Sequence, residues 1–135
     1  MKKIIGLLAI AVFALAACSP AASASIVGEW SLVSYGDPTL LLPASPGVDT
    51  SIEFKPDGTL AGNVGCNGFG GDYDVKDGTI EFGPIVSTLM FCEAVADQES
   101  TVLAVFFQSA TFALDGDTLT ITSADGSSVV ALARK

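Results

Sequence analysis

Four Asp-Gly dipeptides, Asp57-Gly58, Asp77-Gly78, Asp115-Gly116 and Asp125-Gly126, punctuate this chain from residue 57 onward and constrain its fold more than any other feature. Each sits between short runs rich in Thr, Val, Ile, Leu and Phe. An Asp-Gly pair reverses the chain cheaply, because glycine accepts a positive φ and the aspartate side chain can bond its own backbone, so the pair between two such runs marks a β-hairpin. On this reading residues 50–55 and 59–64 form one hairpin about Pro56-Asp57-Gly58. Residues 72–75 and 79–82 form a second about Lys76-Asp77-Gly78. Residues 111–114, 118–122 and 127–133 form a meander turned at residues 115–117 and 124–126. Residues 26–34, with Val27, Trp30, Leu32 and Val33, suit a first strand. Residues 36–49 contain three prolines and two glycines and read as a loop. One segment changes period: in residues 93–109, Val95, Glu99, Val102, Leu103, Phe106 and Phe107 recur at three- and four-residue steps, which predicts an amphipathic helix. The expected fold is mainly β, a strongly curved antiparallel sheet or partial barrel of about eight strands with one packed α-helix.

The first 17 residues read differently. Lys2 and Lys3 precede an apolar run over residues 4–17, too short for the roughly 20 residues that a membrane-spanning helix needs. Basic, then apolar, then small is the order of a signal peptide. The run ends in Leu15-Ala16-Ala17-Cys18, which resembles the lipobox of bacterial lipoproteins, with Cys18 as the lipidated residue. The expected organisation is a signal peptide over 1–17, a lipidated flexible tether over 18–25 and one domain over 26–135. Two or more acyl chains would make the membrane anchor stable. The expected location is extracytoplasmic. Ser19 after the cysteine points to the outer membrane, facing the periplasm, in a Gram-negative source.

Charge and composition exclude several functions. Without residues 1–17 the chain keeps 4 of its 6 Lys and Arg against 15 acids, a balance of 4 − 15 = −11. That argues against nucleic acid as a partner and favours, weakly, a basic protein. The sequence contains no histidine, which removes the commonest general base and metal ligand. Ser87 and Thr88 therefore have hydroxyls but no His partner. The glycines of residues 62–71 lack the Gly-Lys-Ser/Thr ending of a phosphate loop. Asp72, Asp74 and Asp77 resemble a calcium loop in which the third acid is one residue late and Lys76 fills a ligand position, so a solvated turn is the better reading. No catalytic residue, metal site or cofactor is expected. Leu40-Leu41-Leu42, between Pro38 and Pro43, reads either as a strap closing one end of the sheet or as an exposed partner-binding lip.

Two clusters carry a family resemblance. One is Gly65-Cys66-Asn67-Gly68-Phe69-Gly70-Gly71-Asp72-Tyr73. The other is Ser87-Thr88-Leu89-Met90-Phe91-Cys92, followed by Gln98-Glu99. With Gly28-Glu29-Trp30 they resemble the META domain, the family of the heat-shock lipoprotein HslJ, over essentially residues 26–135. The matching positions are Trp30, Gly65, Asn67, Gly71, Tyr73, Ser87, Thr88, Met90 and Glu99. Phe69 departs from the pattern where Tyr is common. Val102 and Phe106 look like a volume swap within one core. Once Cys18 is lipidated, Cys66 and Cys92 are the remaining thiols, and in an oxidising compartment they are either a disulfide or two buried free cysteines. Asn67 is expected to bond neighbouring backbone, the glycines to supply unusual dihedrals or close approach, and Ser87, Thr88 and Met90 to cap or pack the start of the helix.

The resemblance implies a non-enzymatic envelope lipoprotein that binds a partner or serves envelope stress and maintenance. An inhibitor of an extracytoplasmic hydrolase such as lysozyme, and a small-ligand binder using a barrel mouth, are the alternatives.

Overall fold

The computed structural model describes residues 25–135. The expected signal peptide, Cys18 and all but the last residue of the expected tether lie outside the described residues. The elements are β1 (Gly28–Asp37), β2 (Leu40–Pro43), β3 (Ser51–Phe54), β4 (Thr59–Asn63), β5 (Gly68–Lys76), β6 (Thr79–Phe82) and β7 (Val86–Ser87). A single 3-10 turn, Glu93–Val95, then runs into α1 (Ala96–Val105), and β8 (Ala110–Asp115), β9 (Thr118–Ser123) and β10 (Val129–Arg134) complete the fold.

Eight antiparallel strands close on themselves in the order β1-β3-β4-β5-β6-β8-β9-β10, with β10 returning to β1. β2 and β7 are short additions on β1 and β5. The sequence-based expectation of a partial barrel with one helix is thus met by a full closure, which leaves the eight strands of the ring without free edges. The two extra strands were not legible. β2 lies in the stretch read as a loop, because three apolar residues between prolines show no alternation. β7 is two residues long.

Closure depends on an irregularity in β1. Its first residues pair with β3, its last with β2, and its other edge runs along β10. The β10 register slips between Leu32 and Ser34, so Val33 is an extra residue. Such a bulge bends the strand, here at the point where the neighbour changes from β3 to β2. The Leu32 amide falls in the gap and donates to Thr50 Oγ1 at 2.9 Å, while Ala44 donates to the Val33 carbonyl at 2.9 Å.

The Asp-Gly turns behave as their chemistry requires. Asp77 and Gly78 both have positive φ, 51° and 78°, and link Lys76 to Thr79 as a two-residue turn, one residue tighter than the sequence suggested. At Pro56-Asp57-Gly58, Asp57 Oδ1 accepts from the Thr59 amide and hydroxyl, at 3.0 and 2.6 Å.

The interior is packed. Trp30, Ile52, Phe54, Ile80, Val102, Phe106, Leu119, Ile121, Val130 and Leu132 are fully buried. Trp30 Nε1 donates to the Ile26 carbonyl at 2.8 Å, and the Arg134 guanidinium lies 4.2 Å over its ring. The helix buries Gln98, Glu99, Val102, Leu103 and Val105. Phe107 was expected on the buried stripe but is 60 % exposed, because α1 stops at Val105 and the next turn no longer follows the helical period.

The registers also fix what lies at each end of the barrel. One end gathers Ser25, the turns at Pro56-Asp57-Gly58, Asp77-Gly78 and Gly116-Asp117, and Arg134. The opposite end gathers the β1–β2 hairpin, the crossing from β4 to β5, the turn about Asp125 and the helix. Among the described residues no helix is long and apolar enough to cross a membrane.

Candidate functional site

The crossing from β4 to β5, the segment after β7 and the first turns of α1 meet at the helical end of the barrel, and Asn67 is their hub. Its backbone amide donates to Glu99 Oε1 at 2.8 Å. Its Nδ2 donates to the Met90 carbonyl at 2.9 Å. Its Oδ1 accepts from the Thr88 hydroxyl at 2.7 Å and from the Met90 amide at 2.8 Å. One side chain thus ties both backbone groups of Met90, a residue 23 positions away. Asparagine suits the position because it alone, with glutamine, carries an acceptor and two donors on one planar head. Asn67 is 6 % exposed and Glu99 7 %, so leaving either side chain unpaired would be costly.

Two further ties reinforce the hub. Cys66 and Cys92 are joined in a disulfide that spans 26 residues, with Cα atoms 6.0 Å apart. Of the two states left open by the sequence, the oxidised one is present. Beside Glu99, the buried Gln98 donates to the Val64 carbonyl and accepts from the Ser45 amide at 2.7 Å. Its role was missed by sequence reasoning, which left Gln98 off the apolar stripe; its place next to Glu99 in the motif was the available signal.

Of the motif residues, Gly65, Asn67, Thr88, Met90 and Glu99 come together here. A Cβ on Gly65 would lie 3.1 Å from Val95 and 3.4 Å from Glu99, so glycine permits the close approach of the helix. Ser87 pairs with Phe69 in the β5–β7 ladder. Trp30, Gly71 and Tyr73 lie elsewhere. Trp30 fills the core. A Cβ on Gly71 would meet the Pro84 carbonyl and Ile85, both at 2.7 Å. The Tyr73 hydroxyl donates to the Lys55 carbonyl at 2.7 Å, its ring stands edge-on to Phe54, and burial raises its pKa. Gly65 and Gly71 have no positive φ, so close approach explains them, whereas Gly28 in the opening motif has a φ of 134°. Ser87, Thr88 and Met90 were expected to cap or pack the start of the helix; neither the 3-10 turn nor α1 has a side-chain cap, Thr88 and Met90 bond Asn67, and all three border one cleft with the first turns of α1.

What this scaffold presents to solvent is apolar. Leu89 is 94 % exposed, Met90 61 % and Phe91 82 %. Together with the helix they border a cleft of about 460 Å³ that Asn67, Thr88, Asp97, Ser100 and Leu103 also line. A second cleft, of about 490 Å³, lies at the other end beside Ser25, Tyr73 and Phe112. The Leu40-Leu41-Leu42 segment is exposed as well, as the edge strand β2. Asp72, Asp74 and Asp77 do not converge; among the described residues no group of three or more His, Cys, Asp or Glu is placed to hold a metal.

A closed eight-stranded barrel, packed solid and tied at one end by an asparagine hub and a disulfide, defines a small β-barrel domain whose distinctive chemistry is at its rim. The chain belongs to the META domain family, whose model matches residues 24–135. No curated protein matches it. Among solved structures it is similar to a protein from Burkholderia xenovorans determined by NMR, with 19 % identity and a TM-score of 0.62 over 80 % of this chain and 81 % of that one. It is also similar to a DUF4847 family protein from Bacteroides vulgatus ATCC 8482, with 15 % identity and a TM-score of 0.57 over 80 % and 92 %. These likenesses concern the fold.

Proposed function

We propose that this protein is a non-enzymatic binding module of the cell envelope, lipid-anchored through Cys18, that engages a partner with the Leu89-Met90-Phe91 loop. The observation that carries the reading is the pairing of large apolar exposure with a rigid foundation. Three consecutive large apolar side chains stand in solvent, while the backbone of the middle one is held at both its amide and its carbonyl. A backbone already held in place loses less entropy on binding than a mobile one. The absence of histidine and the engagement of the Glu99 carboxyl by the Asn67 amide support a non-catalytic role. Anchoring rests on the lipobox-like Leu15-Ala16-Ala17-Cys18 and on Ser25 lying at the end of the barrel opposite the loop, so a tether would turn the loop away from the membrane. A role in envelope stress like that of HslJ is consistent with this placement, as is inhibition of an extracytoplasmic hydrolase.

The test is a photo-crosslinking amino acid placed at Phe91 in the full chain, in living cells. Discrete adducts from position 91, absent when the crosslinker replaces Val75 at the other end of the barrel, are expected. Equal yields at both positions, or none at 91, would contradict the reading.

A further inference from the structure

The distribution of cations decides what such a loop would bind. The sequence has no Lys or Arg between Lys76 and Arg134. Lys55 flanks the turn at Pro56-Asp57-Gly58, Lys76 ends β5 at the Asp77-Gly78 turn, and Arg134 donates to the Val27 and Ser25 carbonyls. Lys135 donates its amide to the Glu29 carbonyl and its ammonium group to Asp49. Three of the four cations of the described chain therefore cluster at the Ser25 end, and the fourth lies along β1 at Glu29. Around the Leu89-Met90-Phe91 loop the charged residues are Glu93, Asp97 and Glu99. The first two are exposed, and Glu99 is occupied by Asn67.

Resting on the reading of this loop as a binding site, we infer that its partner is a cationic amphipathic peptide segment. Its apolar face would lie on Leu89, Met90 and Phe91 and fill the cleft against α1, with its Lys or Arg residues facing Glu93 and Asp97. Two other occupants fit less well. A bilayer surface with anionic headgroups would be repelled by the same carboxylates. A second copy would bring acid against acid, which costs affinity. An amphipathic helix laid into an apolar groove anchors through side chains at three- and four-residue steps, and the three-residue apolar loop beside a cleft of about 460 Å³ matches one such set of anchors.

The test uses the full chain in zwitterionic lipid nanodiscs, with empty nanodiscs as the baseline. It is titrated with a fluorescent Leu/Lys peptide of helical amphipathic pattern, the same composition scrambled, and a Leu/Glu peptide of the same pattern. The patterned Leu/Lys peptide should bind about tenfold or more tightly than either comparator. Replacing Leu89→Ser with Phe91→Ser should remove about tenfold of that affinity. Glu93→Gln with Asp97→Asn should weaken binding several-fold and remove most of its sensitivity to salt. Leu40→Ser with Leu42→Ser should leave it unchanged. All the altered residues are exposed, so thermal melting serves as the control for folding. Equal affinity for the three peptides would overturn the inference, as would insensitivity to the Leu89/Phe91 change or preferential binding of the loop to anionic vesicles. Specific photo-adducts at position 91 together with no preference for the Leu/Lys peptide would overturn the cationic partner while leaving the binding-module reading intact.

Discussion

Two apolar segments, Leu40-Leu41-Leu42 and Leu89-Met90-Phe91, stand exposed on the rim side of the same barrel, and they are held in different ways. The first is an edge strand fastened to β1 through backbone pairing over Ser34–Asp37. The second has little regular structure of its own but is tied to Asn67 by three hydrogen bonds from Thr88 and Met90, and to the same crossing by the Cys66–Cys92 disulfide, while Glu99 holds the Asn67 amide. Exposure alone does not separate them. The difference lies beneath: a backbone ladder tolerates any side chain on its surface, whereas a buried polar hub is costly to build and fails if one member is lost. The family motif is therefore legible as a clamp for the second segment, and the first is outside that motif.

The largest expected effect comes from breaking the covalent tie. Replacing Cys66 and Cys92 with serine should lower stability by about 3–4 kcal/mol on the chain-entropy estimate for a loop of this length, measured by urea unfolding of oxidised wild type against the variant. Next is Asn67→Ala, which strips the Thr88 hydroxyl and both backbone groups of Met90 of their partner. A loss of about 2–3 kcal/mol is expected, and Asn67→Asp should not restore it, because a carboxylate cannot donate to the Met90 carbonyl. Changing Leu40, Leu41 and Leu42 together to serine should cost less than about 1 kcal/mol, since exposed positions contribute little. A collapse of the fold would show instead that β2 is a structural strap.

The smallest effect sharpens the comparison between a buried and an exposed hub. Asp125 Oδ1 accepts from the Ser123 hydroxyl and from the Ser127 amide and hydroxyl, much as Asn67 gathers its partners, but in full solvent. These bonds hold its pKa down to about 2. A depressed carboxylate stabilises the fold above its unfolded pKa of about 3.9, and that contribution is lost as pH falls towards about 2. Asp125→Asn, which removes the charged acceptor, should flatten that part of the pH–stability curve and slightly lower stability near pH 7.

Much of this architecture was readable from residues. Asp-Gly turns and alternating runs marked the hairpins because their chemistry is local. The helix announced itself by its period, although its end at Val105 and the exposure of Phe107 depended on how the chain leaves the barrel. Asn67 could be singled out, but its partners could not. It bonds Met90 and Thr88 across the fold rather than its neighbours, and such long-range pairing leaves no periodic trace. β2 escaped notice because an unalternating leucine run between prolines has the composition of a loop. Barrel closure likewise rests on one bulged residue, Val33, that looks like any other strand valine.

The central claim is that Asn67 holds an exposed apolar loop rigid. The direct measurement is the backbone ¹⁵N order parameter of Met90 and Phe91 in the full chain, compared with the Asn67→Ala variant. The account predicts values near those of rigid backbone, about 0.85, in the native protein, and a fall towards the flexible range, below about 0.6, in the variant. A native loop already in the flexible range, or one whose order survives the loss of Asn67, would contradict it.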